Sequence, residues 1–309
     1  MLPVFIRVQI EFSMTRTRVI DYEGSKYSTE FWTPEREYED RAERIALKAL
    51  LPPSGDRLIE IGAGAGRLGE LYRGYAEVVL MDYARSTLLE ARQRWGHDPR
   101  FKFVAADVYR LPFADAAFDT VVMVRVIHHL MDVPQALRQI AMTLRPGGAF
   151  ILEFANKRNL KSMLRYALRR QAWSPYAREP LEFIELNFDF HPAWLKERLR
   201  EAGFHLRRQR SVSLFRIGAL KRVLGARALA AIDGRLQRPL APLELSPSQF
   251  VKCQVSGAKF VEPATGLFKC PECGSTAWSE SPDALTCANG HGWSGHDGVY
   301  DFRRMKDEG

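Results

Sequence analysis

No uninterrupted apolar run in the 309 residues approaches the roughly 18 that a helix needs to cross a bilayer, so a membrane-spanning protein is not expected. The opening MLPVFIRVQIEFSM makes a poor export signal, because Arg7 and Glu11 interrupt its apolar run and no basic segment precedes it. A cytoplasmic location is the expectation. Residues 1–13, ahead of Met14 and the polar stretch it begins, read either as a start-site extension or as an added edge strand. Cysteine is scarce: there are four, and three of them crowd near the C-terminus at metal-ligand spacing. That usage excludes a disulfide framework and points to reduced thiols holding a metal. Internal repeats and low-complexity tracts are also missing.

What is present suits one large α/β domain with a small appendage. From Arg57 onward, short β-type runs (RLIEIG, EVVLMD, FKFVAA, FDTVVMV, AFILEFA, FHLRRQRSVSLF) alternate with runs of helical spacing (RLGELYRGY, STLLEARQRW, VPQALRQIAMTL). Alternation of this kind describes a doubly wound, mostly parallel sheet covered on both faces. PEREYEDRAERIALKALLP reads as a helix ahead of the sheet, with Pro34 near its start and Pro52-Pro53 closing it. Two basic helical insertions, at 156–190 and 216–245, interrupt the pattern. The expected division is an N-terminal cofactor-covering segment (1–35), a main domain (36–256), then a linker around Gly257–Gly266 and a small β module (257–309).

Charge is uneven. The net charge is +8, yet Lys157 to Arg227 holds 17 Lys and Arg against 6 Asp and Glu, leaving the remainder slightly acidic. One face is therefore expected to meet something anionic, the plainer alternative being a solvated basic face. Arg158, Lys161, Arg165 and Arg169 fall on one helical stripe opposite Leu160, Met163, Leu164 and Leu168, so this helix suits a membrane surface or an acceptor's phosphates.

The sharpest local signal is LIEIGAGAG, a strand ending at Glu60 and running into Gly62, Gly64 and Gly66. Glycines there let the chain turn sharply and let a ligand lie against the main chain. A dinucleotide fingerprint would need a third glycine at position 67, which is Arg67, so a nicotinamide oxidoreductase is disfavoured. Asp82 closes the next strand, where a carboxylate can accept from both hydroxyls of a ribose. Asp107 closes the third, placed to accept from an adenine amino group, with Val108 supplying an apolar edge. Each acid alone has a competing reading as a helix cap or surface group.

Together these motifs resemble a class I S-adenosylmethionine-dependent methyltransferase with a methyltransferase type 11-like domain, over roughly residues 36–215. FDTVVMVRVIHHL resembles that family's fourth-strand segment and LRPGGAFIL its turn into the fifth strand. The resemblance implies a seven-stranded Rossmann-like sheet. It also implies cofactor contacts at Glu60, Gly62, Ala63, Gly64, Gly66, Asp82, Tyr83, Asp107, Val108 and Arg125, while Tyr27 ahead of the first helix reads as an aromatic cover for the sulfonium and Trp32 as core packing first, a cover second. Methyl transfer asks the protein to align an acceptor and exclude water, and an acidic acceptor also needs a base. His129 is the candidate base and His128 a further catalytic candidate, against the reading that the pair only packs or caps; His191 is a weaker candidate, since a histidine before proline at a turn is more often structural. The Asn-Pro-Pro-Tyr or Asp-Pro-Pro-Tyr signature of adenine methylation is absent after the fourth strand, and no cysteine lies near it to attack a pyrimidine. Cys253 reads as a buried strand residue.

The tail KCPECGSTAWSESPDALTCANGHGW carries CxxC, 13 intervening residues, then CxxxH. Cys270, Cys273, Cys287 and His291 are expected to hold a structural zinc ion, with His296 as the alternative fourth ligand and Gly274 easing the first turn. Similar ribbons accompany a group of ribosomal RNA guanine methyltransferases, where the ribbon precedes the catalytic domain. A small-molecule or lipid-like acceptor is the leading expectation. RNA and a non-catalytic binding role are the alternatives, and the oligomeric state is left open.

Overall fold

The computed structural model describes residues 19–24, 33–256, 266–281 and 283–303. Helix α1 (Glu37–Leu50) follows a 3-10 turn at Pro34–Arg36. It carries Glu37, Glu39 and Asp40 in its first turn, where carboxylates favour the helix N-terminus, and buries Tyr38, Ala42, Ala46, Leu47 and Leu50 along one stripe. Strands β1 (Gly55–Ile61), β2 (Tyr75–Asp82), β3 (Phe101–Ala105), β4 (Phe118–Met123) and β5 (Leu144–Ala155) pair in parallel, in the order β3-β2-β1-β4-β5. Two further strands, β8 (Phe204–Val212) and β9 (Ser248–Val255), add antiparallel at the β5 edge. The seven strands expected for this domain are all present.

Both faces of the sheet are covered. Tyr38 and Leu47 of α1, Leu88 and Ala91 of α2 (Arg85–Trp95), and Leu229 of α6 (Gly218–Leu236) pack in one cluster. Leu137 and Ile140 of α3 (Val133–Thr143), with Leu195 and Leu199 of α5 (Pro192–Glu201), pack in the other. Asp132 caps α3 by accepting from Gln135 N at 2.8 Å. A helix over RLGELYRGY does not form: only a 3-10 turn, Gly69–Tyr72, is present. The Trp95 indole occupies the space, donating to Gly66 O at 2.8 Å and lying so close to Gly69 that a Cβ there would sit 2.6 Å from its ring. The last expected strand stops at Val212, because Ser213 adopts φ 62° and the chain turns toward Asp233.

The first insertion is one helix, α4 (Leu160–Ala167), followed by a hairpin of β6 (Leu181–Ile184) and β7 (Asn187–Asp189). The second forms α6, broken at Gly225, whose φ of 72° is not helical.

The tail is more than an appendage. Strands β10 (Trp278–Ser281), β11 (Ala284–Cys287), β12 (Gly292–Ser294) and β13 (Val299–Asp301) continue the main sheet. β13 runs parallel to β3 with Val299 opposite Phe103 and Asp301 opposite Ala105. Leu267, Leu285 and Phe302 join the main core, and Phe302, only 4 % exposed, contributes about 2 kcal/mol by its burial. Pairing against β3 removes an exposed strand edge that would otherwise invite aggregation. The linker expected around Gly257–Gly266 falls largely on residues 257–265, outside the described ones.

Candidate functional site

The site forms where β1, β2 and β4 end, at the point where strand order reverses, which is where open α/β sheets bind ligands. Gly62 has φ 75°, and a Cβ there would overlap the Val126 side chain; Gly64 has φ 51° and open space before it. Neither position accepts an ordinary side chain without strain. Gly62 N and Ala63 N donate to Met81 O at 2.8 and 2.9 Å, fastening the turn to β2. Asp82 accepts from Gly64 N at 2.7 Å through one oxygen and from Ala84 N at 3.0 Å through the other, so it holds the turn in place as well as facing the ligand space.

Glu60 is buried with the Tyr72 hydroxyl beside it, and burial, outweighing that hydroxyl, pushes its pKa up to about 7. The buried Glu60 carboxyl, the Asp82 carboxylate and glycines whose positive φ disfavours any side chain fit a ligand rich in hydroxyl and amino donors lying against the main chain. S-adenosylmethionine is such a ligand.

One cavity collects Glu60, Gly62, Ala63, Gly64, Asp82, Tyr83, Val108, Arg125 and His129 from the residues expected by sequence. Gly66, Asp107 and His128 do not line it. Gly66 instead packs on Trp95, Asp107 accepts from Tyr109 N at 2.9 Å, and His128 is enclosed against His129 with ring centroids 4.0 Å apart. His128 Nδ1 has no hydrogen-bond partner among the described residues, and burial holds its pKa well below the ordinary value. His191 serves as the N-cap of α5, its Nδ1 accepting from Ala193 N at 3.2 Å. Cys253 is buried in β9 with its thiol pKa pushed up to about 12 by burial. Tyr27 and Trp32 lie outside the described residues.

His129 sits on a 3-10 turn after β4, Ile127–His129. Its Nδ1 lies 3.1 Å from the Leu186 carbonyl oxygen between β6 and β7, and a carbonyl can only accept, so the proton resides on Nδ1. Burial keeps the ring neutral by lowering its pKa. Nε2 is thereby left with its lone pair, facing the Tyr22 hydroxyl at 3.4 Å. Tyr22 remains a phenol: burial and the Asp82 charge both raise its pKa. Arg125 adopts φ 61°, donates its backbone N–H to Glu153 at 3.0 Å, and binds Glu43 through Nε at 2.8 Å. Burial alone would raise the Glu43 pKa, but the charges of Arg125 and Arg67 outweigh it and hold the carboxyl below its usual range.

Within the N-terminal segment expected to cover the cofactor, the sequence reading singled out Tyr27 and Trp32 and missed the residues that line the cavity. Val19, Ile20 and Tyr22 line it, together with Thr87, Arg94 and Leu130. Glu23 caps α2 across 62 residues of sequence, accepting from Arg85 N at 2.8 Å and Ser86 N at 3.0 Å. Arg303, just past β13, donates to Glu23 at 3.0 Å, to Tyr83 O at 3.1 Å and to Asp301 at 2.6 Å. Arg85 reaches Asp297 at 2.8 Å. The tail thus holds both the covering segment and the end of β2. The acidic Asp-Tyr-Glu run at 21–23 was the available signal, but nothing local tells that its partners lie in α2 and the tail.

In the tail, Cys270, Cys273, Cys287 and His291 place their ligand atoms within 4.8 Å of one another. Cys273 and Cys287 Sγ are 3.7 Å apart, and His291 Nδ1 lies 3.4 Å from Cys287 Sγ and 3.7 Å from Cys270 Sγ. Tetrahedral zinc bonds of about 2.3 Å to sulfur and 2.0 Å to nitrogen require separations near 3.8 and 3.6 Å, so the four residues fit. His296 stands outside, 3.2 Å from Asp283 and exposed. Gly274 takes φ 75° after the first pair, as the tight turn demands.

Residues 59–152 match the methyltransferase domain family. A probable S-adenosylmethionine-dependent methyltransferase of Mycolicibacterium smegmatis is 28 % identical over 207 residues, 67 % of this chain and 72 % of that protein. A demethylmenaquinone methyltransferase of Clavibacter sepedonicus is 31 % identical over 115 residues, 37 % of this chain and 47 % of its own, so the chain spans about half the length of that relative. An S-adenosylmethionine-dependent methyltransferase of Thermotoga maritima superimposes with a TM-score of 0.52 at 19 % identity, covering 75 % of this chain and 97 % of that one. None of these matches assigns the metal ribbon. The chain carries a methyltransferase domain and has the fold of the S-adenosylmethionine-dependent methyltransferases.

Proposed function

We propose that the protein transfers a methyl group from S-adenosylmethionine to a small-molecule or lipid-like acceptor whose proton is taken by His129. The observation that carries this reading is the junction of the glycine-walled cavity with a neutral, buried imidazole that lines it, its Nδ1 held by Leu186 O and its Nε2 beside the Tyr22 hydroxyl. Bound there, the cofactor supplies a methyl on a sulfonium and a good leaving group. The chain's own residues do the remainder. Glu60 and Asp82 accept the nucleoside's donors, and Val108 and Leu130 form apolar wall. The 19–24 segment excludes water, and His129 Nε2 receives the acceptor's proton while Leu186 O holds the ring. The cavity wall of Val19, Ile20, Val126 and Leu130 supports an apolar acceptor, and the demethylmenaquinone methyltransferase among the relatives points the same way.

Cys270, Cys273, Cys287 and His291 hold a zinc ion in this reading. Four protein ligands leave no open position, so its role is structural. Incubating cell extract with the protein and methyl-labelled cofactor tests the assignment. Label is expected in an apolar small molecule or lipid, and label confined to RNA would overturn it.

A further inference from the structure

Large apolar side chains that face solvent are not spread over this molecule. Of sixteen exposed ones among the described residues, twelve lie in the two insertions, 156–190 and 216–245. Helix α4 is the clearest case. Its apolar stripe points outward, with Leu160 50 %, Leu164 54 % and Leu168 63 % exposed, and only Ser162 of the helix is buried. A surface helix ordinarily turns that stripe to the core. In the hairpin that follows, Phe183 and Ile184 are 54 % and 65 % exposed. An apolar surface of this kind on a water-exposed element marks an interaction site.

The charge beside it selects the partner. Each outward leucine of α4 is followed by an exposed cation, Lys161, Arg165 and Arg169, and the insertion holds seven Lys and Arg against four Asp and Glu. Parallel apolar and cationic stripes match the boundary between acyl chains and anionic headgroups. Nucleic acid would meet the cations but leave three leucines, Phe183 and Ile184 in water. The insertion also adjoins the acceptor side of the site, because Leu186 at its hairpin binds His129 and Asn156 follows directly on β5.

We propose that the 157–185 insertion seats the protein on an anionic lipid bilayer. Leu160, Leu164 and Leu168 enter the headgroup–acyl boundary, and Lys161, Arg165 and Arg169 lie against lipid phosphates. The docking stands on this surface alone; its purpose, delivery of a bilayer-borne acceptor, rests on the lipid-like acceptor proposed above. Co-sedimentation of the full chain with phosphatidylcholine vesicles, with and without about a third phosphatidylglycerol, tests it independently of methyl transfer. Binding to the anionic vesicles is expected to exceed binding to the neutral ones by roughly tenfold or more and to weaken with salt. Leu160→Ser/Leu164→Ser/Leu168→Ser should abolish it while cofactor binding persists. Arg165→Glu/Arg169→Glu, at exposed positions, provides the same test if the serine variant does not fold. Equal binding to both vesicles, no binding to either, or unchanged binding by the variants would overturn the proposal. So would a dimer that the leucine variant dissociates, since the stripe would then belong to a second copy.

Discussion

The cofactor cradle and the metal cluster are both built from loops, yet they reach order by opposite routes. The cradle is fixed by the sheet: parallel β1 and β2 hold Gly62, Gly64 and Asp82 through main-chain bonds that need no ligand. The cluster has only three- and four-residue strands behind it, and its thiols and imidazole converge to within 4.8 Å of one another, a spacing compatible with zinc. A sheet preorganises its site, whereas a small ribbon borrows folding energy from its metal. In this chain the two are joined. β13 completes the edge at β3, and Arg303 ties the ribbon to Glu23 and Tyr83 over the cavity.

The largest expected effect that sharpens this contrast falls on the base. His129→Ala should lower kcat by roughly 10²- to 10⁴-fold with cofactor affinity nearly kept, measured by steady-state kinetics and calorimetry. The sign of the pH dependence follows from burial. A lowered imidazole pKa keeps Nε2 unprotonated further into acid, so the acid limb of kcat/KM should have its midpoint below 6.5 and should vanish in the variant.

The next effect tests the metal. Cys270→Ser, or chelation, should remove about one zinc per chain and unfold the ribbon. Because Phe302 and Leu285 sit in the main core, thermal unfolding should shift downward for the whole protein rather than for a detached tail. Hydrogen exchange at β3 should rise as its edge is uncovered. A ribbon lost without change at β3 would break the proposed coupling. Smaller still, Arg303→Ala removes one hydrogen bond from the covering segment and one from the β2 end, and should weaken cofactor binding by about tenfold with zinc retained.

The sequence shows the sheet, its doubly wound form and the cradle, because each depends on short-range signals: apolar runs of strand length, glycines where φ is positive, and acids at strand ends. It shows the four residues of the Cys3His cluster for the same reason, since CxxC and CxxxH are local. What it hides is long-range. Glu23 capping α2, Arg303 closing over Tyr83 and β13 pairing with β3 join residues far apart in the chain. Trp95 displaces an expected helix by filling the space beside Gly66 and Gly69. Asp107 looked equivalent to Asp82, yet only Asp82 lines the cavity, because Asp107 turns back to the Tyr109 amide.

Calorimetric titration of S-adenosylmethionine into the zinc-loaded protein and into Asp82→Ala tests the account most directly. Saturable one-to-one binding is predicted, weakened by roughly a hundredfold in the variant, which loses both the ligand's acceptor and the bond that holds Gly64. No heat with this ligand, or equal affinity in the two proteins, would contradict it.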